Sequence, residues 1–305
     1  MKIFVTGVGG QLGHDVMNEL AKRGYEGVGS DIAPEYSGAA DGSAVTKMPY
    51  VQLDITDKEA VEKVLTEIKP DVVVHCAAWT AVDLAEDDDK VEKVRKVNVT
   101  GTENIALTCK KLDCKMVYIS TDYVLDGMGT EPWQPDCKAY KPLNVYGETK
   151  LGGELAVSEN LEKYFIVRIA WVFGVNGKNF IKTMLNLGKT HDKLTVVCDQ
   201  IGTPTYTYDL ARLLVDMIET EKYGYYHATN EGGYISWYDF TKEIFRQAIE
   251  QGHTEYAKVD VKPVTTAEYG ASKAKRPFNS RLAKSNWWRT ALSPSRPGRM
   301  RLDAL

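Results

Sequence analysis

Apolar and polar positions along the first half of the chain form blocks with the lengths of strands and helices. Compact apolar runs occupy residues 2–6, 27–31, 50–53, 71–75 and 115–119. Between these runs, apolar side chains recur at spacings of three and four, which is the period of a helix with one buried face. Strands that alternate with helices through short turns predict βαβ units. We therefore expect an α/β fold with a doubly wound parallel sheet.

Two of the intervening helices have predicted ends. Thr56 is expected to cap a helix over residues 57–68, with Glu59 at the capping-box position and Pro70 as the stop. A long helix is expected over about residues 86–112. Ligands of doubly wound sheets bind outside the carboxyl ends of the strands, so the residues that follow each strand are candidates for function.

The second half of the chain has a different pattern. Helical periodicity covers residues 178–191, 208–219 and 236–251, with short strands between them. The aromatic cluster at residues 223–226 and the indole of Trp237 are most simply packing residues. This half therefore predicts a smaller α/β unit beside the parallel sheet.

A glycine-rich turn at residues 7–13 follows the first apolar run, and a helical pattern begins inside it. Glycines permit a tight turn and the close approach of a phosphate, while the turn N–H groups and the helix N-terminus attract an anion. The spacing Gly7-x-x-Gly10-x-x-Gly13 predicts a pyrophosphate site, although a glycine turn without a ligand has the same composition. Asp31 ends the next run, where a carboxylate can accept a hydrogen bond from a ribose 2′-hydroxyl.

Three side chains between residues 120 and 150 suit the reduction of a carbonyl group. Thr121 follows the run at residues 115–119, so its hydroxyl should lie at the carboxyl edge of the sheet. Tyr146 and Lys150 open a later helix and lie one turn apart on the same face. An ammonium beside a phenol favours the phenolate, so Lys150 should lower the pKa of Tyr146. Tyr146 would then donate a proton to a carbonyl oxygen that Thr121 polarises.

The tyrosine–lysine spacing is not specific by itself. It recurs at Tyr238/Lys242, within an ordinary helical pattern, and at Tyr269/Lys273, which follows no strand. A purely structural helix pair is therefore the alternative for Tyr146. The combination of a helix start, an upstream strand-end hydroxyl and a glycine turn favours the catalytic interpretation.

Composition excludes several classes of function. The formal net charge is −4, and no stripe of lysine and arginine runs along the chain, so nucleic acid is not an expected partner. No apolar run reaches the ~20 residues that a membrane-spanning helix needs. The chain has 5 cysteines and no C-x-x-C pair, which predicts reduced thiols and a cytoplasmic protein.

The motifs taken together resemble the extended short-chain dehydrogenase/reductase family. The resemblance covers about residues 1–284 and rests on the glycine spacing, Asp54-Ile55, Asn98, Ser120-Thr121 and Tyr146-x-x-x-Lys150. It implies a Rossmann-like sheet, a bound NADH or NADPH and a nucleotide-sugar substrate. Further stretches are similar to the members that reduce the C4 keto group of dTDP-4-dehydro-L-rhamnose to dTDP-L-rhamnose: residues 77–86, 120–127, 168–174, 199–205 and 276–282.

The resemblance also implies roles for individual residues. Thr121, Tyr146 and Lys150 would be catalytic, and Lys150 would also bind the nicotinamide ribose. The negative charge of Asp31 would repel a 2′-phosphate and so favours NADH. The implied cofactor-binding residues are Gly7, Gly10, Gln11, Leu12, Asp31, Asp54, Ile55, Ala77, Ala78, Thr80, Asn98, Tyr146 and Lys150. The implied substrate-binding residues are Val82, Asp122, Tyr123, Trp171, Asn179, Gln200 and Arg276.

Two alternatives to this function stay open. The first is a reductase or epimerase that acts on another nucleotide-sugar. The second is a non-catalytic, NAD(P)-binding regulatory subunit, because relatives of such reductases serve as partners of another enzyme. We expect a monomer or homodimer and predict no metal site.

We divide the chain into three parts. Residues 1–173 should form the dinucleotide-binding domain, and residues 174–284 should form mainly the substrate-binding domain, with segments exchanged between the two. Residues 285–305 are expected to form a disordered tail. Two prolines, a glycine and four arginines within residues 289–301 interrupt the helical pattern that the family has there.

Overall fold

The computed structural model describes residues 1–36 and 47–284, so the tail expected at residues 285–305 lies outside the described residues. As far as residue 173 the helices and strands are β1 (Lys2–Thr6), α1 (Gln11–Arg23), β2 (Glu26–Asp31), β3 (Tyr50–Gln52), α2 (Lys58–Ile68), β4 (Val72–His75), α3 (Val91–Arg95), α4 (Thr102–Leu112), β5 (Lys115–Thr121), α5 (Val145–Asn160), β6 (Tyr164–Ile169) and β7 (Val172–Phe173). The later ones are α6 (Phe180–Thr190), β8 (Lys193–Val197), β9 (Ile201–Gly202), β10 (Thr205–Tyr206), α7 (Thr207–Ile218), β11 (Gly224–His227), β12 (Ile235–Ser236), α8 (Trp237–Glu250), β13 (Asp260–Val264), α9 (Thr266–Tyr269) and β14 (Asn279–Ser280).

The central sheet of the described residues has seven parallel strands in the order β11-β6-β5-β4-β1-β2-β3. Apolar clusters cover both faces, with side chains such as Val16 and Leu214 on one face and Leu65 and Ile105 on the other. Burial on both faces explains why the strands are continuous apolar runs rather than alternating ones. The predicted α/β fold with a doubly wound parallel sheet is confirmed.

The order of the strands reverses between β1 and β4. From β1 the chain builds outward through β2 to β3, then returns to β4 and builds the other way through β5 and β6. Loops at the carboxyl ends of β1 and β4 therefore diverge and leave a crevice between them. This is the place where the topology predicts a ligand.

A second lobe covers one side of this crevice. Its core includes Phe173, Ile181, Phe240 and Ile244, from the end of β7 and from helices α6 and α8. Between these segments the chain returns to the first lobe, because α7 packs on α1 and β11 pairs with β6 at the edge of the sheet. The second half of the chain therefore contributes α7 and β11 to the first lobe.

The start of α2 differs from the sequence prediction. Asp57 caps the helix, since its carboxylate accepts the backbone N–H of Ala60 at 2.9 Å. Thr56 instead donates its backbone N–H and its hydroxyl to Asp54, at 2.9 and 2.8 Å. The predicted Thr56 cap with Glu59 in a capping box is therefore wrong, because the Thr56 hydroxyl is hydrogen-bonded within the turn before the helix.

The helix predicted over residues 86–112 begins later, at Val91. It is also not a uniform α-helix, since a π-helical turn at Lys96–Gly101 joins α3 to α4. The Glu86 carboxylate accepts the backbone N–H of Val145 at 2.8 Å and so joins this acidic segment to the start of α5. Helical periodicity alone does not reveal such a tertiary contact.

None of the described helices is both long and apolar enough to cross a membrane.

Candidate active site

A cleft of about 590 Å³ lies at the carboxyl edge of the sheet, between the two lobes. Most residues that the sequence singled out line it. They are Gly7, Gly10, Gln11, Leu12, Asp31, Asp54, Ile55, Ala77, Ala78, Thr80, Val82, Thr121, Asp122, Tyr123, Tyr146, Lys150 and Trp171.

The glycine turn has the backbone that a phosphate site needs. Gly7 has φ +73°, and a β-carbon there would lie 2.6 Å from the backbone nitrogen of Ala77. Gly10 precedes the first turn of α1, where no side chain of the described residues caps the helix. The N–H groups of the first turn of α1 are therefore available to an anion, whereas those of Gly9 and Gly10 already donate to Asp31 and to the carbonyl oxygen of Gly7.

Asp31 connects the end of β2 to this turn. Its carboxylate accepts the backbone N–H of Gly9 at 2.8 Å and that of Ile32 at 2.7 Å. The side chain thus sits beside the glycines with its charge at the cleft wall. A contact of Asp31 with a ribose stays a prediction.

Ser30 supplies an independent sign that the cleft fits a dinucleotide. The residue is 1% exposed and lines the cleft, and its hydroxyl oxygen has no hydrogen-bond partner among the described residues. A buried hydroxyl without a hydrogen-bond partner lowers the stability of the fold. A polar atom of a ligand bound in the cleft would supply that partner. Apolar side chains beside it offer the flat surfaces that an adenine needs: Ile32, Leu53, Ile55 and Val97.

The end of β5 and the start of α5 bring the three expected catalytic side chains to one wall of the cleft. Thr121 donates its hydroxyl to Asp122 at 3.0 Å and is hydrogen-bonded to the phenol of Tyr146. The amide of Asn144 caps α5 by accepting the N–H of Gly147 at 2.8 Å, which fixes the first helical turn and with it Tyr146. The cap lets α5 start directly beside Thr121.

The protonation of these groups differs from the sequence expectation. Burial and the negative charge of Asp122 raise the pKa of Tyr146, and the interaction with Thr121 opposes this effect only in part. Burial also lowers the pKa of Lys150 to about 7, against the opposing influence of Glu154 and Cys76. The expectation that Lys150 pulls the pKa of Tyr146 down is therefore wrong for this structure. The phenol stays protonated at neutral pH, which is the form that a proton donor needs.

A buried ion pair lies behind Lys150. The side chains of Glu154 and Arg168 are both 0% exposed, and Arg168 donates to both carboxylate oxygens at 2.8 Å. Glu154 also accepts the hydroxyl of Ser120 at 2.5 Å, next to Thr121. Glu154 follows Lys150 by one helical turn, so its carboxylate lies on the same face of α5 as the lysine.

His75, the last residue of β4, is buried, and both of its ring nitrogens lie beside threonine hydroxyls. Its ring nitrogens lie 2.8 Å from the hydroxyl of Thr6 and 3.1 Å from that of Thr102. Burial lowers the pKa of His75 to about 3, so the ring is neutral at working pH. It packs beneath the cleft and carries no charge into it.

The predicted cofactor residue Asn98 lies behind the cleft wall. It is buried within the π-helical turn, accepts the N–H of Trp79 at 2.8 Å and donates to the hydroxyl of Thr149 at 3.0 Å. These contacts tie the loop after β4 to α5. Asn98 thus positions cleft residues such as Thr80 rather than lining the cleft.

Three predicted substrate residues also support the site from outside the lining. Asn179 caps α6 and donates to the side chain of Gln11 at 3.1 Å. Gln200 accepts the indole N–H of Trp237 at 3.2 Å. Arg276 pairs with Asp83 at 2.7 Å, beside the segment that contains Val82.

The second lobe adds cleft residues that the sequence interpretation missed. Trp237, expected as a packing residue, lines the cleft and stacks on Trp171 with ring centroids 3.7 Å apart and an interplanar angle of 15°. Trp171 has φ +52°, an uncommon conformation that its neighbours hold in place. Lys178 also lines the cleft. The glycine, lysine and asparagine directly before α6 are the sequence signal that could have identified it.

This fold and this arrangement of threonine, tyrosine and lysine define an NAD(P)H-dependent oxidoreductase of the short-chain dehydrogenase/reductase class. The family model described as RmlD substrate binding domain matches residues 1–305, so the chain belongs to that family. The family resemblance deduced from the motifs is thereby confirmed.

Three similar proteins illustrate the relationship. The dTDP-4-dehydrorhamnose reductase of Aggregatibacter actinomycetemcomitans is 38% identical over 288 residues, which are 92% of this chain and 90% of the relative. A crystal structure of a dTDP-4-dehydrorhamnose reductase from Clostridium acetobutylicum is 42% identical with a TM-score of 0.82, and the match covers 95% of this chain and 92% of that one. The enzyme from Bacillus anthracis, solved in complex with NADP, is 35% identical with a TM-score of 0.81 over 96% and 94% of the two chains.

Proposed function

We propose that the protein reduces the C4 keto group of dTDP-4-dehydro-L-rhamnose with NAD(P)H and thereby makes dTDP-L-rhamnose. The observation that carries the proposal is the cluster of Thr121, Tyr146 and Lys150 in the cleft that the glycine turn also lines. Relatives whose names state this activity match the chain over nearly its whole length, which supports the choice of substrate.

In the proposed reaction the carbonyl C=O becomes CH–OH. A bound, reduced nicotinamide would supply the hydride for the new C–H bond. Tyr146 donates its phenolic proton to the oxygen, and an alkoxide is basic enough to take it even from a phenol of raised pKa. Thr121 holds the phenol in place, and Lys150 offers a positive charge to the phenolate that remains until a proton from solvent restores it.

The second lobe offers a surface for the sugar. The stacked pair Trp171 and Trp237 forms an aromatic wall, and Val82 and Tyr123 lie on the cleft lining of the first lobe. Aromatic faces pack on the C–H surfaces of sugar rings, so this wall suits a hexose. The proposal places the sugar between this wall and Tyr146.

All five cysteines lie within the described residues and are free thiols, which supports our inference that the protein works in the cytoplasm. A monomer or homodimer stays a prediction, and size-exclusion chromatography with light scattering decides between them.

The first test is an assay of the purified chain with dTDP-4-dehydro-L-rhamnose. We expect the absorbance of the reduced cofactor to fall as stoichiometric dTDP-L-rhamnose forms. Cofactor binding without oxidation would contradict the proposal. A product formed without net consumption of cofactor would favour an epimerase, and co-purification with another enzyme would favour a regulatory subunit.

Asp31 should make the protein prefer NADH. Its carboxylate sits at the ribose end of the cleft, and the sequence contains no lysine or arginine between Gly24 and Thr46 that could bind a 2′-phosphate. We expect Asp31→Ser to raise the ratio of kcat/KM for NADPH to that for NADH by about tenfold, because one repulsive charge is removed. Glu35→Gln removes a charge from an exposed neighbour and should leave the ratio unchanged. A wild-type preference for NADPH would contradict this assignment.

A further inference from the structure

The loop from Gly174 to Asn179 in the second lobe is built onto the glycine turn of the first. Asn176 donates its side-chain amide to the carbonyl oxygens of Gly9 and Gly10, both at 3.2 Å. Asn179 donates to the side chain of Gln11 at 3.1 Å. These contacts place a segment of the second lobe directly beside the start of α1, where no described side chain caps the first helical turn.

Lys178 is the cation of this loop that remains available to a ligand. It is exposed and lines the cleft, and it makes no hydrogen bond or ion pair with any described residue. The preceding residue, Gly177, has φ +72° and lies so close to Gln11 that a β-carbon would be 3.2 Å from its side chain. Lys182 from α6 donates to the carbonyl oxygens of Val175 and Gly177 and so braces the loop from behind.

The charges around the cleft show what Lys178 can bind. Asp31, Asp54 and Asp122 line it, and the only cations on the lining within the described residues are Lys150 and Lys178. Lys150 is 3% exposed and lies over the ring of Tyr118 at 4.1 Å, so it serves the reaction at the inner end. For a ligand that carries phosphates, Lys178 is therefore the accessible ammonium on the described cleft lining, and it lies beside the N-terminus of α1.

We propose that the ammonium of Lys178 binds a diphosphate group in the cleft. This diphosphate belongs either to the dinucleotide cofactor, held by the glycine turn, or to the nucleotide-sugar, held by the second lobe. Lys178 then completes from one lobe a phosphate site that the other lobe begins. The nucleotide-sugar source rests on the proposed function, whereas the cofactor source does not.

The test measures equilibrium binding of two probes, NADH and dTDP, to the full chain. We expect Lys178→Met to weaken binding of one probe by about fivefold to tenfold, which is the effect of losing one partly exposed charged hydrogen bond. Lys178→Arg keeps the charge and should stay within about twofold of the wild type. Raising the salt concentration from about 0.05 M to about 0.5 M should weaken binding less in Lys178→Met than in the wild type.

Lys189→Met is the matched control, because Lys189 is exposed in the last turn of α6, the helix that follows this loop, and does not line the cleft. It should leave both dissociation constants unchanged. Weaker binding of NADH alone assigns Lys178 to the cofactor, and weaker binding of dTDP alone assigns it to the substrate. Unchanged binding of both probes overturns the proposal, as does an equal loss in Lys189→Met. Because binding is read without turnover, a failure of the proposed reaction leaves the cofactor result interpretable.

Discussion

Tyr146→Phe should lower kcat by about 10²- to 10⁴-fold, while the dissociation constant for NADH stays within about twofold of the wild type. The substitution removes only the phenolic hydroxyl, which is the proposed proton donor at the wall of the cleft. The ring stays in contact with Tyr123, whose ring centroid lies 5.6 Å away, so the shape of the site is kept. Steady-state kinetics and fluorescence titration of NADH separate the two effects.

A matched control for this substitution exists in the same chain. Tyr238 and Lys242 repeat the spacing of the catalytic pair on α8, and the ammonium lies 5.3 Å from the ring centroid. This pair is not at the carboxyl edge of the sheet, so Tyr238→Phe should leave kcat within about twofold of the wild type. Near-normal turnover by Tyr146→Phe would remove Tyr146 as the proton donor.

The second large effect is on stability. Glu154→Leu should lower the free energy of unfolding by about 3–5 kcal/mol, because it leaves the guanidinium of Arg168 buried without its counter-charge. Arg168→Met should cost a similar amount for the converse reason. The double variant should be more stable than either single variant, since no unpaired charge remains. Denaturant unfolding monitored by circular dichroism measures all four proteins.

An exposed ion pair provides the comparison. Glu62 of α2 and Lys111 of α4 are also paired, but their side chains are 43% and 56% exposed. Solvent screens both charges, so Glu62→Gln should change the unfolding midpoint little. If Glu154→Leu destabilises the protein as little as Glu62→Gln does, the buried pair does not have the structural role assigned to it here.

The fold and the inner end of the site follow from local signals in the sequence. The strands appear in the sequence as continuous apolar runs because both faces of the sheet are buried. The turn appears as a glycine motif because the structure leaves no room for a β-carbon at Gly7. Tyr146 and Lys150 could be chosen among three pairs of equal spacing because only their helix starts beside a strand-end hydroxyl. The chemistry of these residues depends on neighbours that are close in sequence or fixed by the order of the strands.

The outer part of the site depends on tertiary contacts that no local pattern encodes. Asn98, Asn179 and Gln200 are polar residues in plausible positions, but their amide groups bond to distant protein segments. The pKa of Lys150 is also beyond sequence reasoning, because the sequence shows the tyrosine one turn away and not the depth of burial. The sequence predicts Trp237 as a packing residue. A tryptophan that is half-buried at a cleft and one that is fully buried occupy the same kind of position in a helical pattern, so the pattern cannot distinguish them.

The position of β11 at the edge of the central sheet limits how the protein can be recombined. A chain cut at residue 173 would leave one side of β6 without its hydrogen-bonding neighbour and one face of α1 without α7. An unpaired apolar edge invites aggregation. A chimaera that exchanges the second half for that of a relative therefore has to retain Thr205–His227 with the first lobe. Changes of substrate preference are more readily made through the loops around Trp171 and Trp237 than by swapping whole lobes.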